Sequence, residues 1–193
     1  MTKAKEVMDW CRDAGIKVLT LFAFSTENWQ RSRKEVGFLM KLFQFVLIKD
    51  IKEIHKNNIR LRIVGRKENF SKKLQEAIKK AEELTENNTG GVLNLAINYG
   101  GRQELLDAFN KISRNSHHKI TEELISENLY TAGLPDPDLI IRTSGELRLS
   151  GFLLWQAAYS ELSFVKKFWP DFSKKDFDEV LADFANRQRR FGK

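Results

Sequence analysis

The chain carries a single cysteine, Cys11, with only three histidines and three prolines among its 193 residues. One thiol excludes an internal disulfide, and with so few histidines it cannot assemble a structural zinc site. Long apolar runs are missing as well. Nothing approaches the roughly 20 uninterrupted apolar residues that a membrane span needs, and residues 1–15 are dotted with Lys and Asp, unlike a secretory signal. The cytoplasm is therefore the expected location. Internal repeats, low-complexity tracts and linkers are absent too, so a single domain over 1–193 is expected.

What is present is ordinary for a globular protein, with 41% hydrophobic and 31% charged residues, enough to bury a sizeable core. A formal net charge of +7 favours anionic partners: nucleic acid, anionic lipid headgroups or a phosphorylated small molecule. The basic groups that could form a nucleic-acid surface are Lys72, Lys73, Lys79, Lys80, Arg187, Arg189 and Arg190. Their helices also carry interleaved acids and no nucleic-acid motif is found, so no nucleic-acid partner is expected.

Periodicity divides the chain into alternating helices and strands. Helices are predicted over 2–14, 33–57, 71–86 with Ser71 as N-cap, 103–114, 121–130, 152–158, and 173–190 with Ser173 as N-cap; strands over 17–24, 59–64, 92–98, 139–142 and 161–164. Such alternation implies an α/β fold with a largely parallel sheet flanked by helices. A sheet of this kind seldom begins on an uncovered helix, which points to a strand missing before residue 1. The segment 33–57 carries one apolar row at helical spacing (Val36, Leu39, Met40, Phe43, Val46, Leu47, Ile51, Ile54) and a second row of Phe38, Leu42 and Phe45. Either a helix or subunit covers that second row, or it walls an apolar cavity.

Three polar loops follow strand carboxyl ends, the rim where open parallel sheets bind ligands. They span 25–31, 98–102 and 143–150. The first offers Ser25, Thr26, Glu27, Asn28, Trp29 and Arg31, and reads either as a site or as an N-capping stretch with Trp29 packed. The third carries Arg142 and Arg148, which can face one diphosphate if the chain turns back at Gly145; Ser144 and Ser150 add hydroxyls, and a helix starting near Phe152 would add free N–H groups. The alternative there is a solvated loop of ion-pairing arginines.

The run Ile141-Arg-Thr-Ser-Gly-Glu-Leu-Arg-Leu-Ser-Gly-Phe-Leu-Leu-Trp-Gln156, continuing to Glu161, closely resembles the signature of the cis-prenyltransferases. The resemblance extends through Phe22-Ala-Phe-Ser-Thr-Glu-Asn-Trp-Gln-Arg31, Asn94-Leu-Ala-Ile-Asn-Tyr-Gly-Gly-Arg102, Trp169-Pro-Asp-Phe172 and Ala185-Asn-Arg-Gln-Arg-Arg-Phe-Gly192, and so covers nearly the whole chain. It implies a transferase of isoprenoid biosynthesis that condenses isopentenyl diphosphate with an allylic diphosphate such as farnesyl diphosphate, giving a cis-polyprenyl diphosphate of the undecaprenyl type. By the same resemblance Asn28 assists proton removal, while Ser25, Thr26, Glu27 and Trp29 line the allylic substrate and Arg31 reaches its phosphates. Arg142, Arg148 and Ser150 bind isopentenyl diphosphate. Glu161 helps hold Mg²⁺ across the interface of a homodimer, an apolar tunnel shelters the product, and a peripheral membrane contact for product release is left open.

Two departures stand out. The family normally opens with a strand ending in Asp-Gly-Asn-Gly-Arg-Trp, whose aspartate holds magnesium and whose amides cradle the allylic diphosphate; no such run occurs here, so the chain reads as amino-terminally truncated and weakly active or inactive by itself. Gly151 also stands where the family usually has Asn after the serine, which loosens the isopentenyl subsite. The alternative reading is a non-catalytic partner subunit that lends Arg142, Arg148 and Glu161 to a complete enzyme.

Overall fold

The computed structural model of the chain describes residues 2–114 and 119–188. Its elements run α1 (Thr2–Asp13), β1 (Val18–Ser25), α2 (Arg33–Lys49), α3 (Ile51–Lys56), β2 (Ile59–Val64), α4 (Lys72–Thr85), β3 (Gly91–Tyr99), α5 (Gly101–Ser113), α6 (Glu122–Asn128), β4 (Leu139–Arg142), β5 (Glu161–Phe164) and α7 (Lys174–Asn186). The expected α/β alternation and parallel pairing are both found. The expected caps form as well: the side chains of Ser71, Thr121 and Ser173 accept from the N–H groups of Leu74, Leu124 and Asp176 at 3.3, 3.2 and 3.3 Å.

β1, β3 and β2 form a parallel sheet with β3 in the middle, in the register Leu19↔Leu93 and Leu61↔Leu93. Alternation along these strands sends Leu19, Leu21, Leu93, Leu95, Leu61 and Ile63 to one face, where they pack against Val36 and Leu47 of α2, Ile51 and Ile54 of α3, and Leu74, Ile78 and Ala81 of α4. The opposite face carries a polar row in register, Thr20–Asn94–Arg62, in which Asn94 Nδ2 donates to Thr20 Oγ1 at 3.3 Å. α1 and α7 close a second core of Val7, Cys11, Phe172 and Phe177.

Four expectations are corrected. The sheet is divided: β4 and β5 pair in parallel with each other and form a separate two-stranded sheet. Between the β1 edge and the β4 edge lies a cavity of about 500 Å³, lined by Leu19, Thr20, Leu21, Ile140, Ile141 and Cys11 among others. The helix read over 33–57 breaks at Asp50, whose carboxylate meets Lys5 of α1 at 2.9 Å, a tertiary contact that periodicity cannot register. The segment 152–158 is a series of turns, because Ser150, Gly151 and Leu153 all take positive φ and interrupt helical geometry. Finally, α7 ends at Asn186; Arg189 and Arg190, read as the end of that helix, lie outside the described residues.

The second apolar row of α2 faces outward, with Phe38 66% and Phe45 52% exposed. Among the described residues no helix is long and apolar enough to cross a membrane.

Candidate active site

β1 and β3 run parallel, so the loops that follow them, 25–31 and 98–102, leave the sheet at the same end. Two contacts bind them. A Cβ on Gly100 would lie 2.5 Å from Thr26 Oγ1, so any larger residue would have to displace the Thr26 side chain. Trp29 Nε1 donates to Asn98 Oδ1 at 2.6 Å.

Within the first loop, residues 26–30 form a 3₁₀ turn. Asn28 Oδ1 accepts from the Ser25 N–H at 2.9 Å, which anchors the carboxamide at the mouth of the loop. Glu27 is exposed, and its carboxyl is held below the usual range by a hydrogen bond from its own N–H, with smaller contributions from the Ser25 and Thr26 hydroxyls. Trp29 packs edge-on against Phe24 (5.3 Å between ring centroids) yet stays 37% exposed. Arg31 pairs with Glu35 one helical turn on, Nη1 to Oε1 at 2.7 Å.

The third loop turns back at Gly145, as its sequence requires: Ser144 and Gly145 take φ of 76° and 71°. Their N–H groups donate to the carbonyls of Lys167 (2.7 Å) and Val165 (2.9 Å), which pins the turn against the segment after β5. The turn brings Arg142 onto the far limb of the loop, where its Nη1 donates to Ser150 Oγ at 2.9 Å and to the Arg148 carbonyl. The Arg148 guanidinium is exposed and ion-paired with Glu146. Arg142, Arg148 and Ser150 thus share one tight turn, a polar anchor of two permanent cations and a hydroxyl. Because 152–158 is a series of turns, the helix amino-terminus expected at Phe152 is not there to add N–H groups.

The second loop joins this turn to the rest. The Gly101 N–H donates to the Gly151 carbonyl at 2.8 Å, and a Cβ on Gly101 would stand 2.7 Å from that oxygen. Behind the junction lies a buried polar cluster that the sequence reading missed. Glu104, 1% exposed, accepts from Tyr99 Oη at 2.6 Å, from Gln156 Nε2 at 3.1 Å and from the Tyr130 N–H at 3.0 Å. Burial pushes its carboxyl up, opposed by these hydrogen bonds. Next to it, Arg66 grips Asp107 through two bonds, 2.8 and 2.6 Å, and holds that carboxyl down at about 2. A glutamate in the first turn of a helix reads in sequence as an ordinary dipole partner. Only the tertiary fold shows that this one is interior.

Glu161 stands apart. It begins β5 opposite Leu139, at the other end of the β4–β5 pair from Arg142, and its Oε2 meets Arg187 Nη1 at 2.8 Å. Among the described residues there is no group of three or more His, Cys, Asp or Glu side chains that could hold a metal ion.

Comparison with known proteins gives the family and the fold. Residues 1–192 match the family model described as "Putative undecaprenyl diphosphate synthase". The isoprenyl transferase of Neisseria meningitidis serogroup B is 48% identical over 183 residues, which cover 95% of this chain and 74% of that protein. The ditrans,polycis-undecaprenyl-diphosphate synthase ((2E,6E)-farnesyl-diphosphate specific) of Vibrio parahaemolyticus is 50% identical over 184 residues, covering 92% of this chain and 73% of its own length. Among solved structures, a probable undecaprenyl diphosphate synthase from Campylobacter jejuni superposes with a TM-score of 0.91 at 36% identity, covering 100% of this chain and 91% of that one. Lavandulyl diphosphate synthase from Lavandula x intermedia, in complex with dimethylallyl diphosphate, gives 0.94 at 36% identity, covering 100% and 86%. A rim of three interlocked loops at the ends of parallel strands, matched over nearly all its length to these proteins, places the chain in the undecaprenyl diphosphate synthase family of prenyltransferases.

Proposed function

We propose that this chain carries the isopentenyl half of a cis-prenyltransferase site and part of the allylic half. The observation that carries the reading is the turn in which Arg142 donates to Ser150 beside Arg148 while Gly101 and Gly100 tie that turn to the Trp29 loop. Two guanidinium groups and a hydroxyl suit a diphosphate, since Arg forks bind phosphate oxygens in pairs and keep their charge. Isopentenyl diphosphate is anchored there. Ser25, Thr26, Glu27 and Trp29 line the allylic diphosphate, with Arg31 at its phosphates. The allylic carbon–oxygen bond breaks and pyrophosphate leaves with the electron pair; the isopentenyl double bond attacks that carbon, and a proton is lost to give a new cis double bond. Asn28 assists that proton's departure.

Magnesium, when bound, stabilises the charge of a departing pyrophosphate. The described residues do not assemble a site of three or more ligating side chains, and Glu161 is engaged with Arg187, which also pairs with Asp183. The proposed contribution of Glu161 is therefore to a site completed by groups outside this set, including a second copy of the chain in a homodimer. The outward row Phe38, Leu42 and Phe45 on α2 is the proposed wall of the product tunnel. The cavity between β1 and β4 is the proposed seat of one further strand. Both flanking edges belong to parallel pairs, and strand insertion would join the two sheets into one.

The working location is the cytoplasm. The 193 residues by themselves are expected to turn over slowly or not at all, because they include no Asp-Gly-Asn-Gly-Arg run to cradle the leaving group. Incubation with radiolabelled isopentenyl diphosphate, farnesyl diphosphate and Mg²⁺ tests the reading. Slow incorporation of label into butanol-extractable polyprenyl diphosphate, abolished in Arg142→Ala, supports it. Binding of neither diphosphate would refute it.

A further inference from the structure

We infer that Asn98 is the positioning residue of Trp29: it fixes the edge of the indole so that the exposed ring face is presented to the allylic substrate. The inference rests on the reading of the Trp29 loop as the allylic subsite and assigns a role to a residue that reading leaves out.

Asn98 is 1% exposed and adopts φ of 53°, a left-handed conformation that Asn, Asp and Gly tolerate better than other residues. That conformation turns its side chain between two loops. Oδ1 accepts from Trp29 Nε1 at 2.6 Å, and Nδ2 donates to the Arg66 carbonyl at 2.8 Å. The Asn98 carbonyl in turn accepts from the Arg66 N–H at 3.1 Å. Arg66 is locked to Asp107 by its bidentate pair. The carboxamide is therefore held from behind and cannot rotate without breaking the bond to Arg66.

Trp29 has little else to define its rotation. Phe24 meets it edge-on and Phe70 is tilted against it at 6.4 Å, contacts that hold an apolar ring but do not choose where its N–H points. The single directional bond of the indole goes to Asn98. With that bond made, Trp29 stays 37% exposed in the same loop whose Thr26 meets Gly100. An apolar prenyl chain packs on such a face without needing a polar partner.

The test uses the whole chain labelled with ¹⁵N, with the Trp29 indole N–H resonance assigned by Trp29→Phe. Asn98→Gly keeps the backbone conformation and removes the side chain; Asn98→Asp keeps the acceptor. In Asn98→Gly the Trp29 resonance is expected to move toward its solvent position and exchange faster. Farnesyl diphosphate should bind about five- to tenfold more weakly, the equivalent of one lost hydrogen bond, while isopentenyl diphosphate binding stays unchanged. Asn98→Asp keeps an acceptor for the indole but sets an oxygen against the Arg66 carbonyl in place of the Nδ2 donor, so its Trp29 resonance and farnesyl diphosphate affinity should fall between those of the parent and of Asn98→Gly. In a Trp29→Phe background, Asn98→Gly should have no further effect.

An unmoved Trp29 resonance in Asn98→Gly overturns the inference. So does equal weakening of both diphosphates, which would mark general loosening of the rim. If farnesyl diphosphate fails to perturb the Trp29 resonance of the parent chain, the subsite reading falls instead, and the two failures are told apart because the Asn98-dependent shift is recorded without ligand.

Discussion

The N–H of Gly101 donates to the carbonyl of Gly151 at 2.8 Å, a backbone hydrogen bond that ties the loop after β3 to the turn holding Arg142 and Ser150. No side chain fits there: a Cβ on Gly101 would also meet Leu154 Cγ at 2.7 Å. Gly101→Ala is expected to push the 150–154 segment off α5, with a stability loss of about 1–3 kcal/mol, as for other overpacked contacts. Thermal unfolding should show a midpoint lowered by roughly 2–9 °C for a chain of this size. Isopentenyl diphosphate affinity should fall at the same time, because the turn's geometry depends on the junction. An unchanged midpoint with unchanged affinity would show that the junction yields freely.

Arg142 differs from Arg148 in what it holds. It binds Ser150 and the Arg148 carbonyl within its own turn, whereas Arg148 reaches outward to Glu146. Arg142→Ala removes both a cation and the brace of the loop. Isopentenyl diphosphate affinity is expected to drop about 10- to 150-fold, in line with about 1.5–3 kcal/mol for a charged hydrogen bond. Arg148→Lys keeps the charge but loses the fork, and a smaller loss is expected. Isothermal titration with isopentenyl diphosphate distinguishes them, with Lys79→Ala on the exposed face of α4 as the unaffected control.

Much of this was legible in the chain itself, and the reasons for the rest are specific. Caps at Ser71 and Ser173 and the return at Gly145 follow from local chemistry, so they could be read directly. At the break of the long helix, Asp50 pairs with Lys5, which lies 45 residues away and which no local pattern could reveal. The run 152–158 has helical spacing but sits behind positive φ at Ser150 and Gly151, which no hydrophobic pattern reveals. Only the motif marks Glu161 in the sequence. Its ion pair with Arg187, 26 residues on, is a product of tertiary packing. Asn98 lies inside a loop already marked as part of the rim, but its bond to Trp29 spans 69 residues.

The buried thiol of Cys11 gives a direct test of the cavity between the sheets. Cys11 is 5% exposed, lines that cavity, and burial raises its pKa to about 11. The thiolate is the reactive form, so native protein at pH 8 should react with a disulfide reagent far more slowly than the unfolded chain, whose thiol pKa is about 8.5. An amino-terminal extension carrying an apolar strand should slow the reaction further if that strand occupies the slot. Rapid native labelling, unaffected by the extension, would count against the proposed seat.

Glu104 and Asp107, one helical turn apart on α5, should give opposite pH dependences. The Glu104 carboxyl is raised by burial, so the folded state binds its proton more tightly than the unfolded chain, where Glu titrates near about 4.3. Its contribution therefore favours folding at low pH and declines as pH rises from that value through the raised folded pKa. The Asp107 carboxyl is lowered to about 2 by Arg66, against about 3.9 when unfolded. Its contribution is fully present above the unfolded value and is lost as pH falls toward 2. Comparing urea unfolding of the parent, Glu104→Gln and Asp107→Asn from pH 3 to 7 separates them. Glu104→Gln should remove a decline in stability above pH 4.3, and Asp107→Asn should flatten the loss below pH 4. If Glu104→Gln instead leaves the slope above pH 4.3 unchanged, the hydrogen bonds from Tyr99, Gln156 and Tyr130 cancel the effect of burial, and the carboxylate is charged in the folded core throughout that range.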